Sequence, residues 1–147
     1  MTILAQFDLV KPKYPKNDLR MDGFYNATDY VNKLAENHSG FIWRDLNESQ
    51  KIIDQLFGIG HLYTLSLWKN TNEFKDFLYK TPHNEFRLKG REWFHSITEP
   101  HVVLWWVEDD HIPTLYEAYG RLELLKKIGP SKDAFTIRSS ELFEISN

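Results

Sequence analysis

Two histidines stand beside helix breaks, where an imidazole can reach a bound molecule. His83 follows Pro82, which interrupts a helical pattern, and His111 precedes Pro113 and the start of another helix. Because imidazole titrates near physiological pH, His83 suits a general base or a metal or haem ligand, and its alternative is a polar surface residue at a helix start. His111 could line a pocket mouth with Trp105 or Trp106, and its alternative is a residue that caps the loop. With Glu117 the two histidines would supply the donor types of an iron or zinc site, but no short motif groups them, so we predict no metal.

Two arginines near His83 carry the charge needed to hold an anion. Arg87 and Arg91 are four residues apart, which places them on one face of a continuous helix. Guanidinium groups bind carboxylates and phosphates through paired hydrogen bonds, although such pairs are more often solvated. In an enzyme, His83 would take a proton from the substrate and Arg91 or Arg87 would stabilise the resulting anion. The candidate catalytic residues are His83, Arg91 and His111.

The chain is rich in aromatic residues, with five Trp, seven Tyr and ten Phe. Such side chains bury large areas, so they predict an aromatic core, an aromatic cavity or an interface. Trp105 and Trp106 are neighbours on a predicted strand and therefore point to opposite faces, one towards the helices and the other towards a cavity. The candidate substrate-binding residues are Gln6, Trp43, Trp68, Arg87, Trp105 and Trp106.

Composition excludes several classes of function. The net charge of −3 and pI near 6.1 lack the basic signature of nucleic-acid binding. The absence of Cys excludes disulfides and thiolate chemistry, and with no signal-peptide pattern it predicts a cytoplasmic protein. The longest apolar run, residues 102–107, is far shorter than the ~18 residues that span a membrane. Glycine-rich nucleotide loops and nucleophile elbows are also absent from the sequence.

The candidate residues lie on alternating strands and helices. Strands are predicted at residues 3–10, 41–44, 61–68 and 102–107, with residues 52–57 extending the hairpin and a short further strand at residues 134–137. Helices are predicted from 22 to 37, from 70 or 71 with a break at Pro82, and from 114, with caps at Asn70 and Thr114. This order predicts an α+β fold, a ferredoxin-like split βαβ antiparallel sheet, over residues 1–137. Residues 138–147 form a polar tail.

One face of the predicted sheet has a mixed character. It is too apolar for water and too polar for a closed core, so a second subunit or a small ligand is expected to cover it. The sequence therefore predicts a homodimer. The residues of this face are Leu4, Gln6, Asp8, Leu62, Thr64, Ser66 and Trp68.

Several segments together carry a family resemblance. They are Leu4–Gln6, Gly40–Phe41 with Trp43, His83, Arg91–Phe94, Val103-Leu104-Trp105-Trp106-Val107, His111-x-Pro113-Thr114 with Glu117, and Gly129–Pro130. On these the chain resembles the domain-of-unknown-function 3291 family. The resemblance implies a dimeric α/β barrel, of the superfamily that includes antibiotic-biosynthesis and haem-degrading monooxygenases and muconolactone isomerases. It implies no agreed reaction.

Two functions follow as hypotheses. The first is a monooxygenase-like enzyme that binds an aromatic or polycyclic substrate in a barrel pocket, with no cofactor required and haem as an open alternative. The second is a non-catalytic dimeric binding or interaction module, in which the aromatic residues form the interface and the histidines are structural.

Overall fold

A four-stranded antiparallel sheet forms the centre of the molecule. The computed structural model describes residues 1–47 and 49–145. The strands are β1 (Thr2–Val10), β2 (Phe41–Arg44), β3 (Leu62–Trp68) and β4 (Val102–Glu108), in the order β2-β3-β1-β4. Strand β3 therefore separates β1 from β2, and β1 separates β3 from β4. The mixed α+β class and the antiparallel sheet are as predicted.

Six helices connect and cover these strands in the described part of the chain. They are α1 (Asp22–Glu36), α2 (Gln50–Phe57), α3 (Thr71–Lys80), α4 (His83–Leu88), α5 (Gly90–Trp93) and α6 (Leu115–Ile128), with 3-10 turns at Leu19–Met21 and Ser140–Phe143. Both predicted caps are present. Asn70 Oδ1 accepts from the Glu73 amide at 2.9 Å, and Thr114 Oγ1 from the Glu117 amide at 3.1 Å.

Helix α2 corrects the prediction that residues 52–57 extend a hairpin. Ser49 accepts from the amide of Ile52 and starts a helix. The apolar residues of α2 then recur one and four places apart, so they all meet the sheet on one side. Residues 134–137, predicted as a possible strand, form only isolated bridges, such as Phe135 with Leu104.

The helix after β3 is broken twice. It ends before Pro82, as predicted, and the next segment ends again at Lys89. Arg87 therefore lies on α4 and Arg91 on α5. Lys89, a single turn residue with helical backbone angles, separates the two helices.

The first face of the sheet is uniformly apolar and is covered by α2 and α6. We call first face the side formed by Ile3, Ala5, Phe7, Leu9, Leu65, Leu67, Val103, Trp105 and Val107, all of them buried. Helix α2 contributes Ile53, and α6 contributes Leu115, Ala118, Leu122 and Leu125. This cluster is the main core of the protein.

The second face carries Leu4, Gln6, Asp8, Leu62, Thr64, Ser66, Trp68, Leu104 and Trp106. At one end Leu4, Trp68 and Leu104 pack against α1, α3 and Phe135. Trp106 packs against Phe135, and its indole N–H donates to the carbonyl of Phe143 at 2.8 Å. The chain's own helices and its C-terminal segment therefore cover this end, where the sequence had predicted a partner subunit or a cavity.

None of the described helices combines the length and the apolar composition that crossing a lipid bilayer would require.

Candidate functional site

The other end of the second face carries a row of polar side chains. We call polar row the residues Gln6, Asp8, Thr64 and Ser66. The Gln6 amide Nε2 donates to Ser66 Oγ at 2.7 Å and to Thr64 Oγ1 at 3.1 Å. Gln6 and Ser66 are buried, whereas Thr64 is exposed. The second face is therefore closed at the Ser66 end of the row and open at Thr64.

Asp8 is the ionisable member of the row. It lies opposite Thr64 on β3 and opposite Val102 on β4, and it is partly buried. Burial raises the pKa of its carboxyl from 3.8 to about 6, and the charge of His101 and the Leu9 backbone amide offset only part of this. A carboxyl with this pKa is present in both protonation states near neutrality, as a general acid or base requires.

A pocket of about 480 Å³ lies near the open end of the polar row, although none of the four residues of the row lines it. Leu62, two residues before Thr64, lines the pocket and pairs with Val10. Since a strand rises about 3.3 Å per residue, the Cα of Asp8 lies roughly 7 Å from that of Val10. The other lining residues are Lys11, Pro12, Lys13, Tyr14, Pro15, Lys16, Tyr25, Gly60 and His95.

Backbone hydrogen bonds hold one wall of the pocket in place. The amide of Lys13 donates to the carbonyl of Trp93, and the amide of His95 donates to the carbonyl of Lys11, both at 2.8 Å. Pro12 forms an isolated bridge with Phe94 between them. The ring of Pro12 also fixes its own φ angle, which further restricts the conformation of this wall in the ligand-free protein.

A second cluster joins β4 to the start of α6. The carboxylate of Glu117 accepts from the indole of buried Trp105 at 2.8 Å and from His111 Nε2 at 2.6 Å. His111 is about half exposed. The sequence placed His111 beside Trp105 or Trp106 at a pocket mouth, and the fold joins His111 to Trp105 through Glu117.

A comparison with known protein families matches almost the whole chain. Residues 3–145 match the model of a family described as a domain of unknown function, DUF3291. The chain belongs to the DUF3291 family. A search of curated proteins found no match.

In this DUF3291 member the remaining predicted catalytic residues lie apart from the polar row. His83 packs against Phe77, with ring centres 4.8 Å apart, and its Nδ1 donates to the carbonyl of Leu78 at 3.3 Å. Burial lowers the pKa of His83, which favours its neutral form. Arg87 donates to Asn84, and Arg91 is exposed.

The predicted tryptophan wall is divided between the two faces of the DUF3291 sheet. Trp43 is partly buried against the first-face core, and Trp105 is fully buried within it. Trp68 lies inside the apolar cluster of the second face, where its indole donates to Ser66. Of the predicted substrate-binding residues, the structure groups Gln6 and Trp68 around Ser66. Among the described residues no three His, Asp or Glu side chains are arranged to hold a metal.

Proposed function

We propose that this DUF3291 protein binds a small molecule at the open end of the polar row and exchanges a proton with it through Asp8. The geometry that supports this is a partly buried carboxyl directly across the strand pair from the exposed Thr64 hydroxyl. It lies two residues before Val10, whose strand partner Leu62 lines the pocket. Burial also raises the pKa of this carboxyl to about 6. Groups with such perturbed pKa values concentrate at functional sites. The four polar side chains form two facing pairs on neighbouring strands, Gln6 with Ser66 and Asp8 with Thr64.

Each member of the row has a role in this proposal. Gln6 donates to the Thr64 hydroxyl oxygen, which leaves the Thr64 proton free to be donated to a ligand. Asp8, directly across from Thr64, takes a proton from the ligand when it is ionised and returns one when it is protonated. Buried Ser66 and Trp68 hold Gln6 in place from behind, so the row is ordered before the ligand arrives.

The proposal covers reactions that begin with loss of a proton from the bound substrate. Monooxygenase-like chemistry on an aromatic substrate, the class that the family resemblance implies, falls within it. Asp8 would then take the role that the sequence assigned to His83, since His83 is held by Leu78 and Phe77. An aromatic substrate would meet Tyr14 and Tyr25 in the pocket in place of the four tryptophans.

A ligand screen followed by NMR tests the binding step. We expect small aromatic molecules to shift the amide signals of Leu62, Thr64 and Tyr25. Thr64→Trp should abolish these shifts, because the indole would fill the open end of the row. Gln55→Trp, which adds an indole at an exposed position of α2, is the matched control and should bind normally. Ligands that bind equally well to Thr64→Trp would contradict the proposal and favour the non-catalytic module.

The proton-transfer step has its own test. For any bound molecule that the wild type converts, Asp8→Asn should stop turnover and leave the dissociation constant within about threefold of the wild-type value. The substitution removes the titrating group but keeps the shape of the side chain. Unchanged turnover in Asp8→Asn would contradict a catalytic role for the carboxyl.

The ferredoxin-like dimeric α/β barrel, the homodimer and the cytoplasmic location are also part of the proposal. Helices of the same chain cover the first face and half of the second. A partner subunit would therefore have to contact the open end of the polar row, a sheet edge or the outer helix surfaces. Light scattering of the purified protein distinguishes a dimer from a monomer.

A further inference from the structure

The lysines of the pocket identify the class of molecule that it takes. Lys11, Lys13, Lys16 and His95 line it, whereas no Asp or Glu of the described residues does. The chain as a whole has a net charge of −3, so this concentration of positive charge is local. Lys11, Lys13 and Lys16 are exposed, and their combined field attracts anions most strongly at low ionic strength.

The positions of the lysines are partly set by the protein. Lys11 and Lys13 flank Pro12 in an extended segment, where side chains two residues apart lie on the same side. Lys13 Nζ donates to the carbonyl of Arg91 at 2.5 Å, and an ammonium group has three donors, so two remain. Asp18, the first acidic residue after this loop, is held by two hydrogen bonds from the Arg20 guanidinium and does not neutralise the pocket.

Two tyrosines give the pocket flat walls. Tyr14 has the Arg20 guanidinium stacked on its ring, with its carbon 3.6 Å from the ring centre. Lys16 Nζ lies 5.5 Å from the ring centre of Tyr25. Tyr25 is partly buried, and Phe24 packs edge-on to it at 4.9 Å. Each ring has a cation over one face, so a planar ligand would stack on the opposite face, with its anionic group near the lysines.

We infer that the pocket binds a small molecule with a phosphate or carboxylate group attached to a planar aromatic body. This inference rests on the proposed function, since it names the ligand class of the same site. The anionic group would lie among Lys11, Lys13 and Lys16, and the aromatic body would extend past Tyr25 and Leu62 towards Thr64 and Asp8.

Calorimetric titration with four probes tests the ligand class. Phenyl phosphate and benzoate carry both features, inorganic phosphate carries only the anion, and benzyl alcohol carries only the ring. We expect one of the two aromatic anions to bind at least about tenfold more tightly than either inorganic phosphate or benzyl alcohol, and high salt to weaken it. Which of the two binds more tightly distinguishes a phosphate from a carboxylate. Benzyl alcohol binding as tightly as the aromatic anions would overturn the inference.

Lysine variants localise the anion. Lys11→Gln and Lys16→Gln should each weaken the preferred aromatic anion about threefold, and the double variant about tenfold. Lys51→Gln on α2 is the matched control, exposed and outside the pocket, and should bind as the wild type does. An unchanged affinity in the double variant would overturn the inference.

The same titrations, followed by NMR, separate the two proposals. If the probes shift the amide signals of Thr64 and Leu62, but the affinity depends neither on the charge of the probe nor on the lysines, the anion inference fails and the proposed function stands. If binding needs the lysines but leaves Thr64 and Asp8 unshifted, the pocket is an anion site and the proposed role of the polar row fails.

Discussion

The two faces of the sheet are formed by alternate residues of the same strands, but they differ in polarity and burial. On β1, Ile3, Ala5 and Phe7 enter the first face, where α2 and α6 cover apolar side chains along the whole strand. The alternate residues Leu4, Gln6 and Asp8 enter the second face, which is apolar at Leu4 and polar at Gln6 and Asp8. The first face therefore contributes mainly to stability. The second face buries fewer apolar side chains over half of its length, and such a departure from the usual core pattern is typical of a functional site.

The largest expected effect lies on the first face. Trp105→Ala should lower the free energy of unfolding by about 3–5 kcal/mol, because it leaves a cavity in a fully buried cluster. It also removes the donor to Glu117. Urea denaturation measures the loss. Thr64→Ala, at the exposed end of the polar row, should change stability by less than about 0.5 kcal/mol. Similar losses in the two variants would contradict the contrast between the faces.

Asp8→Asn should stabilise the protein at neutral pH. The folded pKa of about 6 exceeds the ordinary value of 3.8, so the folded state binds more protons between these values and wild-type stability falls as pH rises from about 4 to about 6. Asn cannot ionise, so the variant should lose this dependence and gain on the order of 2 kcal/mol near pH 7.

Urea denaturation across this pH range checks the prediction for Asp8. Asp29→Asn, at an exposed position on α1, is the matched control and should keep the wild-type pH dependence. A wild type whose stability does not fall between pH values of about 4 and 6, relative to Asp8→Asn, would show that Asp8 is not desolvated.

Gln6→Leu should have a smaller effect, a loss of about 1 kcal/mol. Leucine keeps most of the buried volume but removes both hydrogen bonds to the row. Ser66 would still accept from the Trp68 indole at 2.9 Å, which limits the loss. Thr64 should also become more mobile, as NMR relaxation would detect. A variant that is more stable than the wild type, with an unchanged Thr64, would mean that Gln6 does not order the row.

The smallest effect is expected at the second cluster. Glu117→Gln keeps an acceptor for Trp105 but removes the charge that faces His111, so the loss should stay below about 1 kcal/mol. The indole N–H signal of Trp105 should shift while the signals of Thr64 and Leu62 do not. A shift at Thr64 would contradict the separation of this cluster from the polar row.

The sequence predicted those parts of the fold that depend on local patterns. The strands, the break at Pro82 and the caps at Asn70 and Thr114 follow from alternation, proline sterics and side-chain hydrogen bonds to nearby amides. Helix α2 was missed because Ile52, Ile53, Leu56 and Phe57 form a short apolar run, for which strand and helix cannot be told apart by periodicity.

The candidate site depends on contacts between segments that are distant in sequence, and such contacts are harder to predict from the sequence. Gln6 was selected because it lies on the mixed face of the predicted sheet, and the structure shows that Ser66 and Thr64 are its hydrogen-bond partners. Asp8 was placed on the correct face, but its pKa depends on burial and on His101, more than ninety residues away in sequence. The positive charge of residues 11–16, Lys-Pro-Lys-Tyr-Pro-Lys, is visible in the sequence. Only the backbone hydrogen bonds to residues 93 and 95 make this segment a wall of the pocket.

The most direct test of the proposal is an NMR titration of the Asp8 carboxyl. Its carboxyl carbon shift, followed against pH in the folded protein, should change with a midpoint of about 6. Such a midpoint would give the polar row a group that exchanges protons near neutrality. A midpoint near the ordinary value of 3.8 would contradict it, because Asp8 would then be a solvated carboxylate with no special capacity for acid–base chemistry.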